Sequence, residues 1–130
     1  MEIKTYKKGE VIFREGWDAD CMLAVVTGRV GVYSAYGTAE QKLLKEYGPD
    51  EFLGEMGLLE REPRSATAVA MEKKTSVEII DEASFHEFFR EKPLKVMKVM
   101  QQLSANLRKT SMDYVEVCRE LQTLSGKEEL

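Results

Sequence analysis

Up to Asp81 the chain runs in short apolar stretches punctuated by glycines and other turn residues, and from Ser84 onward its apolar residues recur at helical spacing. That switch of period confines the fold to a β layer followed by helices. Ile3 to Trp17 reads as a short strand, a Lys8-Gly9 turn and a second strand, Glu10 to Arg14, that stops at Glu15-Gly16. Met22 to Thr27 is apolar without alternation, the mark of a strand buried on both faces. After Gly28, Arg29 to Ala35 sets Val30, Val32 and Ser34 on one face. Gln41 to Tyr47 lies between the Tyr36-Gly37-Thr38 and Gly48-Pro49-Asp50 turns. Ser65 to Met71 and Ser76 to Ile80 add two more strands, joined across a charged hairpin at Glu72-Lys73-Lys74. About eight short strands spaced by roughly 8 to 12 residues fit a mainly β fold, an antiparallel β-roll of the jelly-roll or double-stranded β-helix kind.

The helical part opens where Ser84 and Glu87 have the spacing of a capping box, with Phe85, Phe88 and Phe89 forming an apolar side and His86 on the opposite, solvated face. Pro93 breaks that run and suits the first turn of a new helix. Met100, Leu103, Leu107, Tyr114, Val117, Leu121 and Leu124, with Thr110 in the missing step, form a heptad seam. Leu94, Val96, Met97 and Val99 widen the apolar surface at its start, as expected of a helix lying on its own core. Beyond Leu107 no further element follows to cover the stripe, so a parallel homodimer through this helix is expected. The expected organisation is a single domain over residues 1–130: a β-roll over 1–81, a short helix over 82–92 and a long dimerisation helix over 93–125.

Composition removes several function classes. With 43% hydrophobic and 32% charged residues the chain has the balance of a soluble globular domain. Its longest apolar run, Cys21 to Val26, is far short of the ~18 residues of a spanning helix. No basic leader precedes an apolar stretch, so no secretory signal is visible and a cytoplasmic location without membrane attachment is expected. A net charge of −4 argues against direct binding of duplex DNA. Cys21 and Cys118 lie far apart and make no metal or redox spacing. A single histidine, His86, rules out multi-histidine metal centres, including those of cupin-like enzymes that share the roll. With no nucleophile-base pair or metal cluster apparent, no catalytic residue, metal or cofactor is expected.

One stretch departs from ordinary packing. In Phe52 to Val69, FLGEMGLLEREPRSATAV, Gly54 and Gly57 flank the acid Glu55, and a Pro63-Arg64-Ser65 step follows. Glycines permit unusual dihedrals and close approach of the backbone to a ligand. Glu55 to Leu59 suits one helical turn whose first N–H groups have no intrahelical partner and favour a phosphate. Arg64 supplies a planar fork for phosphate oxygens, each charge-assisted bond contributing roughly 1.5 to 3 kcal/mol. Ser65 adds a hydroxyl and an N–H. Glu55, repelled by phosphate, suits a sugar hydroxyl, and acid plus arginine together suit a nucleotide. By residue type alone, a Glu55–Arg64 salt bridge that merely holds a loop is an equal alternative.

The order Phe-Leu-Gly-Glu-Met-Gly-Leu-Leu, a short insert, then Pro-Arg-Ser-Ala-Thr-Ala-Val resembles the phosphate-binding cassette of cyclic-nucleotide-binding domains. Gly9, Ile12, Phe13, Glu15 and Gly16 match the opening of that family, and Thr27 to Val32 its roll. The resemblance spans Ile3 to about Leu124. It implies that Glu55 and the Gly54 carbonyl hold a ribose 2′-hydroxyl, while Arg64, Ser65 and the N–H groups around Gly57 and Leu58 hold a cyclic phosphate. Gly57 and Ser65 are similar to the bacterial catabolite-activator branch, whereas eukaryotic kinase regulatory domains usually place Ala at both positions. Thr110-Ser111 follows Pro93 at the distance of a Thr-Ser pair in those activators. There the resemblance implies a Thr contact to the adenine amino group and a Ser contact to the nucleotide of the other subunit, although a seam hydroxyl also sets helix register. This chain has Ala105-Asn106 where the activators carry an Arg pair.

The expected ligand-binding set is therefore Gly54, Glu55, Met56, Gly57, Leu58, Arg64, Ser65, Ala66, Thr110 and Ser111. The expected function is a stand-alone cyclic-nucleotide sensor, cAMP favoured over cGMP, which binds its ligand unaltered and signals through its C-terminal helix to a protein partner that the sequence does not name. The tail from Ser125 to Glu129 is too short and acidic for a DNA-reading helix-turn-helix. The alternative is a dimeric interaction scaffold of the same fold that binds no nucleotide.

Overall fold

The computed structural model describes residues 2–125, so the acidic tail expected to lack a helix-turn-helix lies outside the described residues beyond its first position. The chain divides after Pro93 into two compact units. The first carries eight strands: β1 (Glu2–Tyr6), β2 (Val11–Phe13), β3 (Cys21–Thr27), β4 (Val30–Ser34), β5 (Lys42–Tyr47), β6 (Phe52–Leu53), β7 (Thr67–Ala70) and β8 (Thr75–Asp81). A short helix α1 (Glu55–Leu59) lies between β6 and β7, and α2 (Glu82–Glu91) follows β8. The strands form two four-stranded antiparallel sheets, ordered β1-β8-β3-β6 and β2-β7-β4-β5. This is a jelly roll, mainly β with C-terminal helices.

The two sheets meet over a core that draws on both. Leu23 and Val25 of β3, Leu53 of β6 and Val77 of β8 pack with Phe13 of β2, Val30 of β4 and Ala68 of β7. The unbroken apolar run of β3 has its expected cause: Leu23 and Val25 enter this core, while Met22 and Ala24 are buried as well. On β6, Leu53 pairs with Leu23 and Phe52 with Ala24. Phe52 meets Phe88 of α2 edge to face, ring centroids 6.3 Å apart, so α2 seals the roll with an aromatic contact. β6 is a strand only two residues long, too brief for a periodic signal, which is why the sequence reading absorbed it into the stretch that follows.

The start of α2 differs from expectation. Asp81, not Ser84, is the N-cap: its carboxylate accepts from the Ser84 N–H at 2.8 Å and from the Ser84 hydroxyl at 2.6 Å. A carboxylate is the stronger acceptor and lies at the strand end, so it takes the orphan N–H, and the Ser84–Glu87 capping box does not form. On β8, Glu78 is 7% exposed and its Oε2 has no hydrogen-bond partner among the described residues.

The second unit continues a helix, α3 (Pro93–Ser125), 33 residues long. Within this single chain its heptad positions other than the half-buried Leu103 are open, Leu107 at 68% and Leu124 at 80% exposure. Thr110 turns its hydroxyl back to the Asn106 carbonyl at 3.0 Å, which satisfies the polar group within the helix. Among the described residues no helix is long and apolar enough to cross a membrane.

Candidate functional site

Arg64 is the centre of the site, and its backbone is fixed before its side chain acts. Its N–H donates to the Trp17 carbonyl at 2.9 Å, and the Gly16 N–H donates to the Arg64 carbonyl at 2.8 Å. Gly16 sits at φ +89°, a turn conformation that glycine adopts without strain. These bonds to the turn after β2 explain why β7 begins at Thr67 and not at Ser65: the backbone at Arg64 is tied to the turn, outside the sheet ladder.

The Arg64 side chain runs inward and is 8% exposed. Its guanidinium lies over the Phe13 ring, 4.3 Å from the centroid. Nη1 donates to the Gly54 carbonyl at 3.2 Å, and Nη2 contacts the Cys21 sulfur at 3.4 Å. Among the described residues no carboxylate stands within ion-pair distance of it. The loop-holding Glu55–Arg64 salt bridge that residue types alone admitted is therefore not formed. A buried cation held by one carbonyl, one thiol and one ring lacks the counter-charge that would compensate its desolvation.

The two glycines serve this arginine. Gly54 caps α1 at φ +74°, and a Cβ there would stand 2.5 Å from Arg64 Nη1. A Cβ on Gly57 would stand 2.7 Å from the Ala19 Cβ, 2.8 Å from Nη1 and 2.9 Å from the Cys21 carbonyl. The sequence suggested close approach of backbone to a ligand; the structure shows close approach of α1 to the guanidinium and to the start of β3.

Beside the guanidinium is a cavity of about 120 Å³ lined by Gly54, Glu55, Met56, Gly57, Arg64, Ser65 and Ala66, with Glu62 of the insert and the Pro63 that follows it. Phe13, Val32, Tyr47 and Leu53 complete its wall from the strands. Seven of the ten expected residues thus share one hollow. Leu58 is turned to a different hollow, with Leu59, Arg61, Glu82, Phe85 and His86, where Arg61 and Glu82 pair at 2.7 Å. Thr110 and Ser111 are exposed on α3, in the second unit. Burial, followed by the nearby carboxylates of Glu55 and Glu51, pushes the Tyr47 hydroxyl up to about 12, so it stays a neutral donor. Among the described residues no group of three or more His, Cys, Asp or Glu could hold a metal.

The sequence reading missed Phe13, Cys21 and Tyr47 as parts of the site. Phe13 and Cys21 sit in apolar strand runs and Tyr47 closes one, so only their registers, which place them beside Arg64 or the cavity, distinguish them from core residues.

Residues 3–92 match the cyclic nucleotide-binding domain family. The chain is 28% identical over 110 residues to the cyclic AMP receptor protein of Thermus thermophilus, covering 85% of this chain and 50% of that protein. It is 31% identical over 88 residues to human cGMP-dependent protein kinase 2, covering 67% of this chain and 12% of the kinase. The crystal structure of Thermus thermophilus catabolite activator protein superposes with a TM-score of 0.76 at 26% identity, over 90% of this chain and 55% of that one. The chain thus spans half the length of the first of these relatives and a small fraction of the second.

Proposed function

Because the chain belongs to the cyclic nucleotide-binding domain family, we propose that it is a cyclic-nucleotide sensor that favours cAMP over cGMP, releases its ligand unaltered and passes the signal through α3 to a protein partner. The observation that carries this reading is the Arg64 guanidinium, buried without a carboxylate partner at the edge of a cavity. A cyclic phosphate supplies the missing negative charge in a bidentate geometry. Ser65 adds its hydroxyl, and the N–H groups around Gly57 and Leu58 meet the same charge, the Gly57 N–H giving up its 3.0 Å bond to the Gly54 carbonyl to do so. Glu55 and the Gly54 carbonyl take the ribose 2′-hydroxyl; that carbonyl accepts from the Gly57 N–H at 3.0 Å and from Arg64 Nη1 at 3.2 Å, so the hydroxyl takes the place of one of these donors.

The cavity, at about 120 Å³, is smaller than the ~300–1,000 Å³ of pockets that enclose drug-sized ligands. It suits the phosphate and sugar, and the base extends beyond it. Thr110 and Ser111 are the proposed base contacts, Thr110 to the adenine amino group and Ser111 to the nucleotide of a second subunit. The exposed heptad positions of α3 support a parallel homodimer, in which a seam of apolar side chains is covered by its own copy. Nucleotide binding then biases the position of α3 by a coupling of ~1 to 3 kcal/mol, the usual range for such switches.

Calorimetric titration with cAMP and separately with cGMP tests the reading. Saturation near one nucleotide per chain, tighter for cAMP, is the expected result. Absence of heat, with a melting temperature unmoved by either nucleotide, would leave the dimeric interaction scaffold in its place.

A further inference from the structure

The Arg64 fork is held unevenly. Nη1 donates to an amide carbonyl, a good acceptor, while Nη2 has the Cys21 sulfur at 3.4 Å, a weak one. Position 21 begins β3, and the carbonyl of the same residue lies close under Gly57, so its Cβ is fixed by both the ladder and α1. Asp20, next in the chain, is exposed and makes no ion pair with Arg64. Among the described residues, the side chain that hydrogen-bonds the second nitrogen of this nine-tenths-buried cation is thus a weak acceptor, easily displaced.

We infer that Cys21 is a positioning residue for the nucleotide site: its thiol orients the Arg64 guanidinium and yields Nη2 to the phosphate. This inference rests on the nucleotide reading and adds to it what sets the ligand's competition. An acceptor at position 21 competes with the phosphate for the same N–H groups, so its strength sets affinity. Sulfur holds the fork in line without neutralising it. A carboxylate in that place forms a charge-assisted pair that a phosphate must first break.

The test compares Cys21→Asp with Cys21→Asn, two side chains of one size that differ in charge, in full-length protein titrated with cAMP and cGMP at pH 7.5. The aspartate variant is expected to bind roughly tenfold to a hundredfold more weakly than the asparagine variant, the range of one charge-assisted bond. Cys21→Ser, which keeps a neutral acceptor, is expected to stay within about threefold of the native chain, a difference under 1 kcal/mol. A role in packing alone predicts equal losses in the two isosteric variants, and that result overturns the inference. Native protein that binds neither nucleotide overturns the nucleotide reading and this inference with it. Native binding with equal variants overturns this inference alone. If the aspartate variant does not fold, the Cys21 Cβ carbon resonance of the native chain carries the test, with Cys118 as reference. A shift at nucleotide saturation supports release of Nη2, and constancy overturns it.

Discussion

Arg64 Nη1 donates to the carbonyl of Gly54 at 3.2 Å, so the buried charge of the site is held by the peptide group that caps the helix lying over it. Loss of the guanidinium removes both the ligand's counter-charge and this internal bond. Arg64→Ala is expected to weaken cyclic-nucleotide binding by more than a hundredfold, about 3 kcal/mol or more for two charge-assisted bonds. The sheets remain, since the backbone bonds to Gly16 and Trp17 do not need the side chain. Micromolar binding retained by a folded Arg64→Ala protein would sink the phosphate assignment.

Gly57→Ala puts a Cβ against the Cys21 carbonyl, the Ala19 methyl and the guanidinium at once. A backbone carbonyl cannot swing aside as a side chain does, so α1 must lift. The expected cost is about 1 to 3 kcal/mol of stability, the usual penalty of overpacking, together with weaker binding because Nη1 is displaced. Thermal melts with and without nucleotide check both, and an unchanged melting temperature would show that α1 is softer than its contacts suggest.

Among the described residues, the Thr110 hydroxyl bonds only within its own helix, to the Asn106 carbonyl. Thr110→Ala is therefore expected to leave the fold intact and to change the ratio of cAMP to cGMP affinity more than either affinity alone. Parallel titrations read that ratio, and an unaltered preference would remove Thr110 from the base contacts.

Asp81 is expected to make the stability of α2 depend on pH. The Ser84 hydroxyl, and then its N–H, hold the Asp81 carboxyl below its ordinary value of 3.8. A folded-state pKa depressed in this way contributes stability that is fully present above the unfolded value and is lost as pH falls through the folded one. The melting temperature of Asp81→Ala should thus lie below that of the native chain at pH 7, and the gap should close on acidification below about pH 4. A gap constant between pH 7 and pH 3 would show that the charge of the cap contributes nothing.

Glu78 carries a buried oxygen without a partner among the described residues. Replacement by Met fills similar volume and removes the desolvated group. A gain of about 1 kcal/mol or more is expected, a rise of roughly 4 to 8 °C per kcal/mol in a domain of about this size. Calorimetric melting of Glu78→Met measures it, and a fall would show that the carboxylate serves the fold.

The strands were legible in the sequence because turn residues bound each run and because the unbroken apolar run of β3, whose Leu23 and Val25 enter the core, reads as a strand buried on both faces. The cassette around α1 was legible by Gly54 and Gly57 and by the Pro63-Arg64-Ser65 step that follows the helix. The source of the arginine's setting was not. Phe13 read as part of the family's opening pattern and Cys21 as one end of an apolar run, neither as a site residue, and only antiparallel register and the Gly16 turn bring them to one guanidinium. The cap of α2 was misread for a related reason: Ser84 and Asp81 both have capping chemistry, and the end of β8, which decides between them, is a property of the sheet.

The setting of Arg64 limits how portable this recognition element is. Residues 52–69 contain the charge, the two glycines and the insert, and look like a self-sufficient unit that could be grafted onto another roll. The arginine's seat is elsewhere: the ring comes from Phe13, the backbone clamp from Gly16 and Trp17, and the thiol from Cys21. A transplant of the cassette alone would carry the key residue without its lock plate, so any exchange between relatives has to take residues 13–21 along with it.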